Sequence, residues 1–156
     1  MTRPPVAPEL DHATRRALAA GLFNYTWTLL ENPDRTPEQD DEMLHAAHAS
    51  RYHWGEVGEP AHLSRGEWQV SRVYAVLGRA EPALYHARRC VELNEANDTR
   101  EEWELGSAYE AMARASAVAG DAAARDEWKG RAAAELPKIR DAEDRQILEQ
   151  DLATLP

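Results

Sequence analysis

Two constellations of side chains carry most of the chemistry this sequence could perform. In the first, Asp41, His45, His48 and Tyr52 follow one another at offsets of three and four, which places them on one face of a helix. Glu42 and His45 also have the Glu-x-x-His spacing of carboxylate-bridged di-metal centres, which need a second such pair from another helix. Imidazole and carboxylate ligands at such offsets hold zinc, iron or manganese, so Asp41, His45 and His48 are the metal candidates. Helical histidine pairs more often serve as polar packing or surface residues, and the expectation is no metal and no cofactor. With His53 or His86 and Tyr74 or Tyr85 added, the same region could build an acid–base pocket, since histidine titrates near neutral pH.

The second constellation is Arg65, Trp68 and Arg72, at i, i+3 and i+7. Ser107, Glu110 and Arg114 repeat that spacing further along the chain. An arginine fork matches a carboxylate bidentately, and Trp68 offers an apolar or cation-stacking surface beside it. Paired arginines in one concavity would select an anionic group within an otherwise acidic protein. The plainer alternative is that they form ordinary ion pairs with Glu67, Glu110 or other nearby acids.

The elements that must position these groups read as helices. Alanine is abundant, and no stretch alternates with period two over strand length, so the fold is expected to be all-α. At 156 residues the chain suits one domain. Residues 1–8, with three prolines, read as a disordered tail, and 9–156 as the domain. The first helix is predicted from a cap at Asp11 to about Glu31, ended by Asn32-Pro33-Asp34. The second starts at Thr36-Pro37-Glu38 and fades at Gly55 or Gly58. The third runs from Pro60 to Gly78, the fourth from Glu81 to Glu95, and the fifth from about Arg100 to Ala119. The sixth spans about Ala122 to Glu135, and a short last helix lies in 141–155.

Residues 67–94 form a helical hairpin, with Ser71 as small contact, Tyr74 as plug and Gly78 as breaker. Ala83, Ala87 and Cys90 make a narrow small-residue stripe on its second helix. This resembles a tetratricopeptide repeat (TPR), a helix–turn–helix unit of about 34 residues. The best repeat is 65–95, and a second covers 107–135. Gly78 and Gly120 are 42 residues apart, so the fifth helix is expected to carry about two extra turns. The resemblance implies a right-handed α-solenoid of about seven antiparallel helices, with the helix in 141–155 capping its end. It also implies that the first helix of each pair lines a groove for a protein or peptide partner.

Charge and composition narrow the partners. With 28 acidic and 18 basic residues the net charge is −10, a field that repels nucleic acid and anionic lipid. The single cysteine, Cys90, excludes an internal disulfide and suits a reducing compartment. No stretch reads as a signal peptide or a membrane span, so a cytoplasmic protein is expected. No Gly-x-Ser-x-Gly, phosphate-cradling loop or dinucleotide fingerprint is present. The five tryptophans, one per helix region, read as one anchor per packed layer.

The reading that follows is a non-catalytic module that holds an extended or carboxylate-bearing ligand in a concave groove. Arg65, Trp68, Arg72, Glu110 and Arg114 would contact the ligand, and Arg72→Glu would abolish binding with melting nearly unchanged. The alternative is a small histidine-centred enzyme or metalloprotein using a pocket around His45, His48 and His53. A third is a homo-oligomer built through apolar faces at the ends of the stack.

Overall fold

The computed structural model describes residues 10–156. The tail expected in 1–8 lies outside that range. Seven α-helices follow in order: α1 (His12–Leu30), α2 (Pro37–Val57), α3 (Pro60–Val76), α4 (Ala80–Glu95), α5 (Glu104–Val118), α6 (Ala122–Glu135) and α7 (Ala142–Ala153). A 3₁₀ turn, Leu136–Lys138, links α6 to α7, and no strand occurs among the described residues. Among those residues, no helix is long and apolar enough to cross a membrane.

Local chemistry sets most of the boundaries. The Asp11 carboxylate accepts from Thr14 N at 2.7 Å and caps α1. At α2, Thr36 and Gln39 exchange side-chain and backbone hydrogen bonds in a capping box, with Pro37 in the first turn. The α3–α4 and α5–α6 hairpins turn in the same way. Gly78 (φ 71°) and Gly120 (φ 77°) both take the left-handed conformation. Arg79 N donates to Tyr74 O at 2.9 Å, and Asp121 N to Ser116 O at 3.0 Å, the Schellman closure in each case.

One expectation is corrected. α5 has 15 residues against 17 in α3, so it carries no extra turns. The additional length between the two glycines lies instead in the connection 96–103. There Asn97 Oδ1 accepts from Thr99 N (3.1 Å) and Thr99 Oγ1 (2.8 Å), forming a turn after which the helix expected from about Arg100 does not start. Glu104 Oε2 then accepts from Glu101 N at 2.7 Å, which delays the helix to Glu104.

Consecutive helices pack as the hairpins α1–α2, α3–α4 and α5–α6. The odd-numbered helices also touch in sequence: α1 with α3, α3 with α5, and α5 with α7. Ser71 Oγ donates to Ala83 O at 2.8 Å inside the α3–α4 contact, a proximity that two larger residues would not allow. Three apolar clusters fill the layers. Met43, Val70 and Val73 centre the first, Ala83, Ala87, Ala108 and Met112 the second, and Ile139, Leu148 and Leu152 the third. Tyr74 packs against the first and second, and Tyr109 against the second and third.

Candidate functional site

Spacing along α3 puts Arg65, Trp68 and Arg72 on one face, and all three line a pocket of about 470 Å³. α1 adds Phe23 and Trp27, α4 adds Cys90 and Asn94, and α7 adds Asp144, Ile147 and Asp151. Trp103, Glu104 and Ser107 enter from the start of α5. Trp27 and Trp68 lie with ring centroids 5.3 Å apart. Arg72 sits over the Trp68 ring and Arg65 over the Trp103 ring, each at 5.2 Å from the centroid.

The guanidinium groups are held by the protein's own acids. Arg65 Nε donates to Glu104 Oε1 at 2.7 Å. Arg72 Nη2 lies 3.2 Å from Glu110 Oε2 and 3.3 Å from Asp151 Oδ1. Arg114 takes the other Glu110 oxygen at 2.6 Å. It also donates to the backbone oxygens of Asp151 (2.9 Å) and Thr154 (3.3 Å) and to Thr154 Oγ1 (3.0 Å). Those carbonyls close the C-terminal end of α7, where a cation is favoured. Glu110 itself is fully buried. Burial pushes its carboxyl above the ordinary carboxylate range against the pull of Arg72 and Arg114.

Glu110 and Arg114 therefore stand behind the pocket as part of its frame, while Arg65, Trp68 and Arg72 form its wall. Two buried polar atoms on wall residues lack a hydrogen-bond partner, Trp68 Nε1 and Asn94 Oδ1. Asn94 is 2% exposed. Its Nδ2 donates to Cys90 O at 3.0 Å, which fixes the amide orientation and leaves the oxygen as the unpaired end. Cys90 is buried, and burial pushes its thiol far above the ordinary range, which disfavours the thiolate that nucleophilic attack needs.

The metal candidates Asp41, His45 and His48 do not converge, whereas His48, Tyr74 and His86 of the acid–base grouping do meet. Asp41 and His45 are exposed, whereas His48 is half-buried and shares a 2.9 Å hydrogen bond with the Tyr74 hydroxyl. His53 is half-buried, and its Nδ1 is without a partner. Besides Glu42 to His45, the sequence holds Glu-x-x-His at Glu9 to His12, whose glutamate lies outside the described residues, and at Glu59 to His62. There Glu59 N donates to His62 Nδ1 at 3.0 Å in the α3 capping box. Among the described residues, no three His, Cys, Asp or Glu side chains are disposed to hold a metal ion.

What does form around His48 is a network between α2, α3 and α4. His86 Nδ1 donates to Glu67 Oε2 at 2.5 Å, and Arg51 Nε to Glu67 Oε1 at 2.9 Å. Tyr74 stacks on His86 (5.8 Å, 10°), and the two imidazoles lie 5.4 Å apart. Burial holds His48 below the ordinary imidazole range, and the neighbouring His86 adds to the effect.

Sequence reasoning missed Phe23, Trp27, Trp103, Asn94 and the three α7 residues. The tryptophans did carry a signal. Trp27, Trp68 and Trp103 lie on or beside alternate elements and meet in one pocket, while Trp54 and Trp128 belong to α2 and α6. Asp144, Ile147 and Asp151 are spaced for one helix face, but nothing in the sequence says which face α7 turns inward. The chain matches no protein-family model and no curated protein.

Proposed function

We propose that this chain is a non-catalytic binding module that takes its ligand in the pocket walled by Trp27, Trp68 and Trp103. The observation that carries the reading is the pocket itself, about 470 Å³ in volume and bounded by α1, α3, α4, α5 and α7. Concave, largely aromatic sites with a few convergent polar groups are where proteins of this size bind small molecules or peptide side chains. A TPR-like solenoid is the architecture we favour. Two features support it: the matched Gly78 and Gly120 turns and the contact of each odd helix with the next. A repeated offset adds to this, for Arg72 reaches Glu110 on α5 38 positions later and Arg114 reaches Asp151 on α7 37 positions later.

A carboxylate-bearing ligand, expected from the arginines, would have to compete with Glu104, Glu110 and Asp151 for its partners. A histidine-centred enzyme would have to free His48, His86 and Glu67 from one another. For these reasons the aromatic pocket is the favoured site.

The test uses Ile147, which is 53% exposed at the pocket margin and can be changed without disturbing the core. Wild type and Ile147→Arg would be screened against a library of small molecules and short peptides by tryptophan fluorescence. Ligands bound by wild type, lost from the variant and recovered chemically unchanged are the expected result. Ligands that bind both proteins equally would place binding elsewhere, and a ligand recovered transformed would make the protein an enzyme.

A further inference from the structure

We propose that the pocket selects an organic cation, a protonated amine carried on an apolar or aromatic stem. This rests on the pocket being the binding site. The cations on and behind the wall are engaged: Arg65 with Glu104, Arg72 with Glu110 and Asp151, and Arg114 with Glu110 and the end of α7. Asp144 differs from the other acids. It lines the pocket and carries no ion pair among the described residues. The charged groups on and directly behind the wall are thus three guanidinium groups against four carboxylates, Glu104, Glu110, Asp144 and Asp151. An incoming carboxylate would meet that excess negative charge and would have to displace a buried acid from its arginine. An ammonium meets an open carboxylate in a pocket where Arg72 and Arg65 already cover Trp68 and Trp103. That leaves the Trp27 ring, over which no guanidinium sits among the described residues, to attract a cation electrostatically.

An unpaired acceptor on the wall fits the same ligand. Asn94 Oδ1, on a side chain almost wholly buried, is an acceptor awaiting an N–H. Phe23, Trp27 and Ile147 supply the apolar surface for the stem. The net charge of −10 raises the local concentration of cations around the whole molecule. The shared chemistry is that of a free amine or of a lysine side chain in a basic peptide.

The experiment compares three probes that share a phenyl ring on a three-carbon chain and differ in the charged or neutral head group: 3-phenylpropylammonium, 3-phenylpropionate and 3-phenylpropanol. Each is titrated into the intact chain at pH 7 while the five indole N–H resonances are followed by NMR, with Trp54 and Trp128 as controls. The ammonium should move the Trp27, Trp68 and Trp103 signals saturably and bind about tenfold more tightly than the propionate, the scale of one charge-assisted contact. Asp144→Asn, which removes no hydrogen bond made by that side chain, should reduce the preference to about twofold. A lysine-containing peptide binding with the same tryptophan pattern and more tightly would assign the source to a peptide; an equal affinity would favour the free amine. Propionate or alcohol binding as tightly as the ammonium would overturn the cation assignment and leave the pocket as a binding site. No response to any of the three would also overturn it, and the binding-module reading would then rest on the Ile147→Arg screen alone.

Discussion

Arg72 on α3 and Arg114 on α5 hold the two oxygens of a single buried carboxylate, Glu110. The two guanidinium groups come together because the acid between them has no contact with water. The arrangement also ties three helices, since Arg72 continues to Asp151 and Arg114 to the last carbonyls of α7. Removing one member of such a cluster leaves the rest uncompensated, whereas removing all members together does not.

Glu110→Ala should therefore cost roughly 3–5 kcal/mol of stability, the range for breaking a buried ion pair. Arg72→Glu should also destabilise strongly, because it sets a third acid beside Glu110 and Asp151. This prediction departs from the expectation that melting would be nearly unchanged. Urea unfolding followed by far-ultraviolet circular dichroism measures both. A midpoint like that of wild type for either variant would show that the cluster contributes little.

Stability should fall on the acid side in two stages. Burial and His86 hold His48 below its ordinary value of 6.5, so the folded chain resists a proton that the unfolded chain accepts. Stability from this group is complete above 6.5 and is lost as pH falls through the lower folded value. Burial alone would raise Glu67, but the hydrogen bond from His86 and the Arg51 charge bring it below its ordinary 4.5. Its contribution is retained until still lower pH. Thermal melting between pH 7.5 and 5.0 should show the first loss, and His48→Gln should flatten it. His62, also lowered by burial, leaves a residual slope.

The helices were legible because their ends are written in local chemistry: Asp11, the Thr36-Pro37 start, and the turns at Gly78 and Gly120. The start of α5 was not, because Asn97-Asp98-Thr99 serves a side-chain turn as readily as a helix cap, and only the Glu101–Glu104 contact decides. Half of the site could be read in the same way. Spacing within α3 placed Arg65, Trp68 and Arg72 on one face. Glu110 was among the acids named as ordinary partners of the arginines, and it does pair with Arg72 and Arg114. Spacing could not show that Glu104 and Asp151 would also reach the pocket arginines, since those contacts cross from one helix to another. The histidine pair failed for the same reason, as His48 found Tyr74 on α3 and not a ligand on α2.

Two glycines should respond to substitution in opposite ways. Gly78 needs its left-handed backbone, and a Cβ there would meet nothing within 4 Å. Gly106 has the reverse problem: a Cβ would approach Leu148 Cδ2 to 2.6 Å and Glu135 Cβ to 3.1 Å. Its constraint is the close packing of α5 against α6 and α7. Asparagine tolerates the left-handed region better than alanine does, but it is larger. Gly78→Ala should thus cost about 1 kcal/mol and Gly78→Asn less. At Gly106 the order should invert, with alanine costing roughly 1–3 kcal/mol and asparagine more. Urea midpoints for the four variants give the comparison. The same order at both positions would mean that α7 is packed less closely against Gly106 than the 2.6 Å approach implies.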